Sequence, residues 1–167
     1  MRGNHSMTAE LDKLDVELLK LVQLNAQQTA NELGEKVGLS PSSALRRVNR
    51  MRENGVIARE CAVLSDAVAG ERVFGLVMVQ MNRHSPEVVT ALKRALIERP
   101  EVQLIFEISG AFDMALVVVE RTLSGFVEFT DRMLAVSPYV HRFETHFVKS
   151  RLKTSLALPL DQRDVMR

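Results

Sequence analysis

The stretch "VGLSPSSALRRVNRMRENGVI", Val37 to Ile57, decides how the first third of the chain is read. Gly38 ends one helix, and Ser40-Pro41 starts another: a capping serine followed by proline at the first helical position. The spacing predicts a helix to about Asn54, where Gly55 supplies the left-handed residue that stops it. Ala44, Leu45, Val48 and Met51 fall on one stripe, as expected of a face packed on neighbouring helices. That leaves Ser42, Ser43, Arg46, Arg47, Asn49 and Arg50 toward solvent. From Pro41 to Arg59 five arginines face a single acid, Glu53, so this segment carries a local +4 in a chain whose net charge is only +1. A basic patch must therefore be local, because no global polycation drives association with nucleic acid.

Upstream, two more short helices are expected. Asp12 caps the first, which presents Leu14, Leu18, Leu21 and Val22 at helical spacing, with Leu11 placed to staple against Val16. Thr29 followed by Glu32 is a capping box opening the second, whose inner face is Ala30, Leu33 and Val37. Two helices joined by a tight glycine-containing turn, the second of them basic, form a helix-turn-helix layout. Serines in the first turn sit beside free backbone N–H groups and suit phosphate, while arginines reach phosphates or guanine edges. A solvated helix face is the plainer alternative. Val56 to Leu64 reads as a strand following the third helix, completing a winged domain over residues 8–64.

Beyond a linker at 65–72 ("SDAVAGER") the character changes. Val73 to Met81 ("VFGLVMVQM") is apolar on both alternating faces, as a central buried strand would be. Ser85 to Arg99 is an amphipathic helix with Val88, Val89, Leu92, Ala95 and Leu96 inward. Val102 to Ile108 and Met114 to Glu120 are strands joined by the hairpin "SGAFD". Leu123, Phe126, Val127, Thr130, Met133 and Leu134 mark a second helix, and Val140 to Val148 a further strand, with "LALPL" as a short last one. The expected fold class is α+β: a winged helix-turn-helix of three helices, then a ferredoxin-like βαββαβ domain over 73–160 and a tail at 161–167.

Composition bounds the alternatives. A hydrophobic fraction of 46% with 26% charged residues suits a soluble globular chain. Cys61 is the only cysteine, which excludes an intrachain disulfide and any multi-cysteine metal site. No apolar run approaches the roughly 20 residues that span a bilayer. The opening "MRGNHSM", residues 1–7, lacks the apolar core of a secretory signal and reads as an expression leader, so a cytoplasmic protein is expected. His141 and His146, five apart on a strand, point to opposite faces, and with His84 they make no convincing metal site. Met51, Met78, Met81, Met114 and Met133 sit at core positions and need only packing as explanation. No cofactor fingerprint, P-loop or nucleophile elbow is present, and no enzymatic activity is expected.

The pieces "LDKLDVELLKLV", "NELGEKVGLSPSSALRRVNRMRENGVI", "EISGAFDMALVVV" and "VKSRLKTSLALPL" together make a chain that resembles the Lrp/AsnC, or feast/famine, transcriptional regulators from Leu11 to Leu160. The resemblance implies double-stranded DNA as partner, with Ser40, Ser42, Ser43, Arg46, Arg47, Asn49 and Arg50 as the contacting residues. It implies that the second domain binds a small effector, an amino acid, and oligomerises, as a homodimer assembling into a tetramer or octamer. The effector residues it implies are Gly110, Phe112 and Asp113 of the hairpin, with Val140 and Thr145 of the last strand. Asp113 would contact the amine or fix the loop; taken without the family, it reads as a turn residue bonding its own backbone. The chain departs from the family at Ala26-Gln27, where a glycine-arginine pair is common, at Gln28, usually apolar, and at Arg59-Glu60, often Gly-Tyr. Siroheme decarboxylases share the architecture without acting on DNA, and a bound tetrapyrrole would betray itself by colour. An oligomerising scaffold without ligand is the remaining alternative.

Overall fold

The computed structural model describes residues 11–82 and 86–165. Residues 1–7, expected as a leader, His84, the helix start expected at Ser85 and the side chain of Val88 lie outside the described residues. Two compact units are present: residues 11–63 with 153–165, and Leu64–Leu152.

The first unit is built from α1 (Lys13–Val22), α2 (Ala30–Val37) and α3 (Pro41–Glu53). Each start has its own side-chain cap. Asp12 accepts from the Asp15 N–H while Asp15 returns the bond to the Asp12 N–H. Thr29 and Glu32 form the same reciprocal pair at α2, and Ser40 caps α3 ahead of Pro41. Gly38 closes α2 at φ +71, and Gly55 follows Asn54 at φ +73, both in the left-handed region where a side chain is strained. Leu18, Val22, Leu33, Ala44, Val48 and Met51 form the core of the unit. Leu45, expected in that stripe, is exposed: it stands one residue, about 100° of helix, away from Ala44 and so points out of the packed face. Gly34 is the tightest point of the turn, because a Cβ there would lie 2.5 Å from the Leu39 carbonyl oxygen.

Two expected strands are not strands. Val56 to Leu64 begins in a bend and joins no ladder, so the helices carry no paired wing among the described residues. "LALPL" likewise pairs with no strand: Gln23 at the end of α1 donates through Nε2 to the Leu158 carbonyl (2.7 Å) and accepts the Leu158 N–H (2.9 Å). This pair of hydrogen bonds to the Leu158 backbone lies within the first unit, with which the chain from Lys153 onward groups. A short helix, α4 (Asp66–Ala69), occupies part of the expected linker.

The second unit has the order β1 (Val73–Met81), α5 (Pro86–Ile97), β2 (Val102–Glu107), β3 (Met114–Glu120), α6 (Leu123–Thr130), a π-helical turn (Asp131–Ala135) and β4 (Val140–Phe147). The strands form one antiparallel sheet in the order β2-β3-β1-β4, the ferredoxin-like arrangement expected. One face, with Val77, Val79, Met114, Leu116 and Val118, packs on Leu92 and Leu96 of α5 and on Phe126, Phe129, Met133 and Leu134. Leu123 and Val127, expected inward, are exposed, and Phe129 takes the buried position instead. The register places Phe74, Leu76, Met78, Val117, Leu104 and Phe106 on the other face, where Leu76 is 37% and Phe106 52% exposed.

A bulge at His141 shifts the β1–β4 register between Gln80 and Met81. It breaks the strict alternation on which the opposite-face placement of His141 and His146 rested. Among the described residues no group of three or more His, Cys, Asp or Glu is placed to hold a metal ion.

Substituting Gly34 by alanine should destabilise the first unit by about 1–3 kcal/mol, since the backbone oxygen it meets has no rotamer to retreat into. Denaturant unfolding followed by circular dichroism measures this, and an unchanged midpoint would refute the close approach.

Candidate functional site

The basic face of α3 is less free than its sequence suggests. Arg47 donates from Nη1 to Asp12 Oδ2 (2.6 Å) and to Asp15 Oδ1 (2.9 Å). Arg50 donates from Nη2 to Asp15 Oδ2 (2.6 Å). Asp15 is fully buried, so its carboxylate needs these cations: a buried charge without partners is strongly destabilising. Arg47 was expected toward solvent, yet its side chain is only 22% exposed, because Asp12 and Asp15 draw it over the start of α1. Arg50 remains 48% exposed. Arg52 is paired as well, with Glu60 at 2.8 Å, and also donates to Asn49 Oδ1 at 3.0 Å. The local +4 of the segment is thus largely offset in space by Asp12, Asp15 and Glu60. Arg46 and Arg59 are exposed and have no ion-pair partner among the described residues.

At the start of α3 the three serines cluster. Ser40 Oγ donates to Ser43 Oγ (2.9 Å), accepts the Ser43 N–H (3.3 Å) and lies 3.2 Å from Ser42 Oγ. Ser40, Ser42, Arg46, Asn49 and Arg50 are exposed, whereas Ser43 and Arg47 are half-buried. Two of the departures noted in the sequence, Gln28 and Glu60, have local structural roles. Gln28 donates to the Leu21 carbonyl in the last turn of α1 and to the Asn25 carbonyl beyond it, and accepts from Lys36 Nζ (2.6 Å), while Glu60 serves Arg52. Asp15 was missed as a site residue; its signal was an acid three positions after the capping Asp12.

In the second unit the hairpin is stitched to β1. Asp113 Oδ2 accepts the Met81 N–H (2.7 Å), its own N–H donates to the Val79 carbonyl (2.9 Å), and its carbonyl accepts the Ile108 N–H (3.0 Å). The carboxylate crosses to the neighbouring strand and does not close a turn on its own backbone. Gly110 has φ +138 and open space where a Cβ would stand. Phe112 is half-buried beneath the Arg142 guanidinium, 5.1 Å from the ring centroid, and Arg142 also reaches Gln80 Oε1 (2.9 Å) and Glu144 Oε1 (3.2 Å). Val140 pairs with Met81 from the β4 side, whereas Asp113 reaches Met81 from the β3 side, so β1 lies between the two residues. Thr145 lies across from Val77, four positions along β1, on the helix-covered face, so the strand does not bring it to the hairpin. Arg142 and Gln80 were absent from the sequence reading, since nothing local marks a cation–π partner on another strand. A shallow surface cleft of about 360 Å³ between α5 and β2 is lined by Lys93, Ile97, Val102, Gln103, Ile105 and Glu107, and by none of the five expected effector residues.

A helix-turn-helix unit joined in one chain to a separate βαββαβ unit defines the two-module class of regulator. Residues 11–58 match the winged helix-turn-helix DNA-binding family, and residues 75–158 match the Lrp/AsnC ligand binding domain. An uncharacterized HTH-type transcriptional regulator of Sinorhizobium fredii is 34% identical over 152 residues, covering 91% of this chain and 90% of that one. The leucine-responsive regulatory protein of Escherichia coli is 28% identical over 154 residues, 92% of this chain and 94% of its own. Among solved structures, a transcriptional regulator from Neisseria meningitidis in complex with L-Met superposes with a TM-score of 0.83 at 27% identity, covering 90% of this chain and 97% of its own. An AsnC family regulator from Agrobacterium tumefaciens gives 0.82 at 30% identity, covering 89% and 97%. The chain belongs to the Lrp/AsnC family of transcriptional regulators, with a DNA-binding and a ligand-binding domain.

The cap of α1 responds to pH in a defined direction. Burial pushes the Asp12 carboxyl up, but the Asp15 N–H and the Arg47 guanidinium together hold it below its ordinary 3.8. Its ionised form therefore stabilises the fold above the unfolded-state value, and that contribution disappears as pH falls through the lower folded-state value. Asp12→Asn keeps a capping oxygen but removes the charge. The variant should melt lower than wild type at neutral pH and converge with it in strong acid; a gap that widened toward acid would contradict the assignment.

Proposed function

We propose that this protein binds duplex DNA through the exposed face of α3 and that an amino acid, held at the Gly110–Asp113 hairpin, alters that binding. The observation that carries the reading is the Ser40-capped α3, set by a tight turn on α2 and followed in the same chain by a ligand-binding domain of the Lrp/AsnC type. Ser40, Ser42 and Ser43 stand where free helix N–H groups favour a phosphate. Arg46 and Asn49 are exposed on the same helix and reach base edges or phosphates. Arg47 and Arg50 lie on it too, but engaged with Asp15. The complex of the Neisseria regulator with L-Met supports an amino-acid effector, and the whole-length relatives named as transcriptional regulators support a DNA-directed, cytoplasmic, non-enzymatic role. Among the described residues no helix is long and apolar enough to cross a membrane.

The uncovered sheet face supports assembly. An antiparallel sheet with a solvated face alternates apolar and polar residues, yet Phe74, Leu76, Met78, Val117, Leu104 and Phe106 are all apolar. This face suits a second copy, in a homodimer that assembles further into a tetramer or octamer. A dimer would present two α3 helices to half-sites about 10 bp apart or a multiple of that. Sedimentation at micromolar concentration should show a dimer or larger; a pure monomer would defeat this part of the reading.

Three measurements test the rest. A thermal-shift screen of the amino acids should single out an effector, because a native-state ligand raises apparent stability. Arg46→Ala should weaken binding to a selected duplex by about 1–3 kcal/mol if Arg46 reads a base, and otherwise reduce the salt slope by about 1. Unchanged affinity and slope would remove α3 from the interface. Coupling between effector and DNA should shift affinity roughly 5–150-fold, and Asp113→Ala should abolish that shift while basal DNA binding persists. Asp113→Asn separates the two roles of this residue. Retained response assigns it to holding the Met81 N–H, and lost response to contacting the ligand amine.

A further inference from the structure

We propose that Asp15 is a positioning residue that sets the specificity of DNA binding by withholding Arg47 and Arg50 from non-specific phosphate contact. The proposal rests on the DNA-binding reading of α3 and adds to it a control on which cations the duplex can use.

Non-specific affinity for duplex DNA comes from cations that neutralise phosphates and release condensed counterions. A guanidinium already neutralised by a carboxylate contributes only by breaking that pair. Here the pair is costly to break. Asp15 is buried, both of its oxygens are engaged, and its cationic partners among the described residues are Arg47 and Arg50. Arg47 is held twice, by Asp12 as well as Asp15, over the start of α1. A phosphate that captured either arginine would leave a buried carboxylate short of a partner. Arg50 is the informative case: its side chain is 48% exposed, so steric access does not keep it from DNA, and only Asp15 does. The segment's unpaired cations among the described residues are Arg46 and Arg59, which are left to carry the salt-dependent contact. Four charges thus cancel on the α1–α3 surface, while the shape and hydrogen-bonding groups of α3 remain available to read sequence.

The test uses the full chain and fluorescence anisotropy with two probes, a mixed-sequence duplex and the duplex that wild type selects from a random pool, between roughly 50 and 200 mM salt. Asp15→Asn keeps the size and an acceptor oxygen but cannot neutralise a guanidinium. On the mixed-sequence duplex its log–log salt slope should steepen by about 0.9 for each arginine that gains a phosphate, so by about 1–2 in all. The ratio of selected to mixed-sequence affinity should fall. Arg50→Gln, with Asp15 still paired to Arg47, should leave the mixed-sequence slope at the wild-type value. A folded Asp15→Asn variant with wild-type slope and wild-type ratio would overturn the proposal, as would a slope shallower by about 0.9 in Arg50→Gln. Should Asp15→Asn fail to fold by circular dichroism, Arg50→Gln decides alone. Wild-type protein that binds neither duplex at any salt would overturn the DNA-binding reading itself, an outcome distinct from binding with an unmoved slope.

Discussion

A buried carboxylate with two guanidinium partners governs the geometry of the DNA-binding unit. Asp15 closes the capping box of α1, and the same two oxygens hold Arg47 and Arg50 of α3, so one side chain helps start one helix and anchors another. The apolar contacts of Leu18, Val48 and Met51 supply most of the favourable burial, but such contacts tolerate sliding. Directional ion pairs at 2.6 and 2.9 Å do not. A buried pair adds little net stability over an apolar replacement, while losing one partner costs about 3–5 kcal/mol. Its contribution is therefore to the register of α3 against α1.

The second unit solves a related problem at the end of β1. There the bulge at His141 disturbs the ladder, and Asp113 supplies an acceptor to the Met81 N–H from the neighbouring hairpin. The carboxylate thereby ties the Gly110–Asp113 hairpin to the strand at the centre of the sheet. Phe112, under Arg142, links the same hairpin to β4, and Arg142 is itself steadied by Gln80 and Glu144. A ligand touching this hairpin would act on β1 and β4 through defined contacts and not through a loose loop.

Much of this was legible in the chain. Helix starts are local chemistry: Asp12, Thr29 and Ser40 each cap the helix they were expected to cap, because the bond partner is three residues away in sequence. Strand order and the apolar β1 followed from alternation and the βαββαβ sequence of elements. The errors have a common origin. Val56–Leu64 and "LALPL" have strand-like composition, but a strand exists only where a partner edge is within reach, and neither segment joins a ladder among the described residues. Leu45, Leu123 and Val127 are apolar by type and exposed by angle, which periodicity resolves only to about one residue in a short helix.

Charge separates the two levels most clearly. The sequence by itself determined the helix-turn-helix, the sheet and its order, and the concentration of arginines on α3, since each is set by neighbours within a few positions or by hydrophobic period. Only the tertiary structure decided what those arginines do. Arg47 and Arg50 meet Asp12 and Asp15 across more than thirty residues of chain, and Arg52 meets Glu60 across an irregular segment that no periodicity describes. A local count of charges sees a cationic helix; the fold, by bringing distant carboxylates to it, leaves most of that charge paired. The reason is physical: backbone periodicity is short-ranged, whereas Coulomb attraction in a buried site acts between whichever groups the packing of helices has placed side by side.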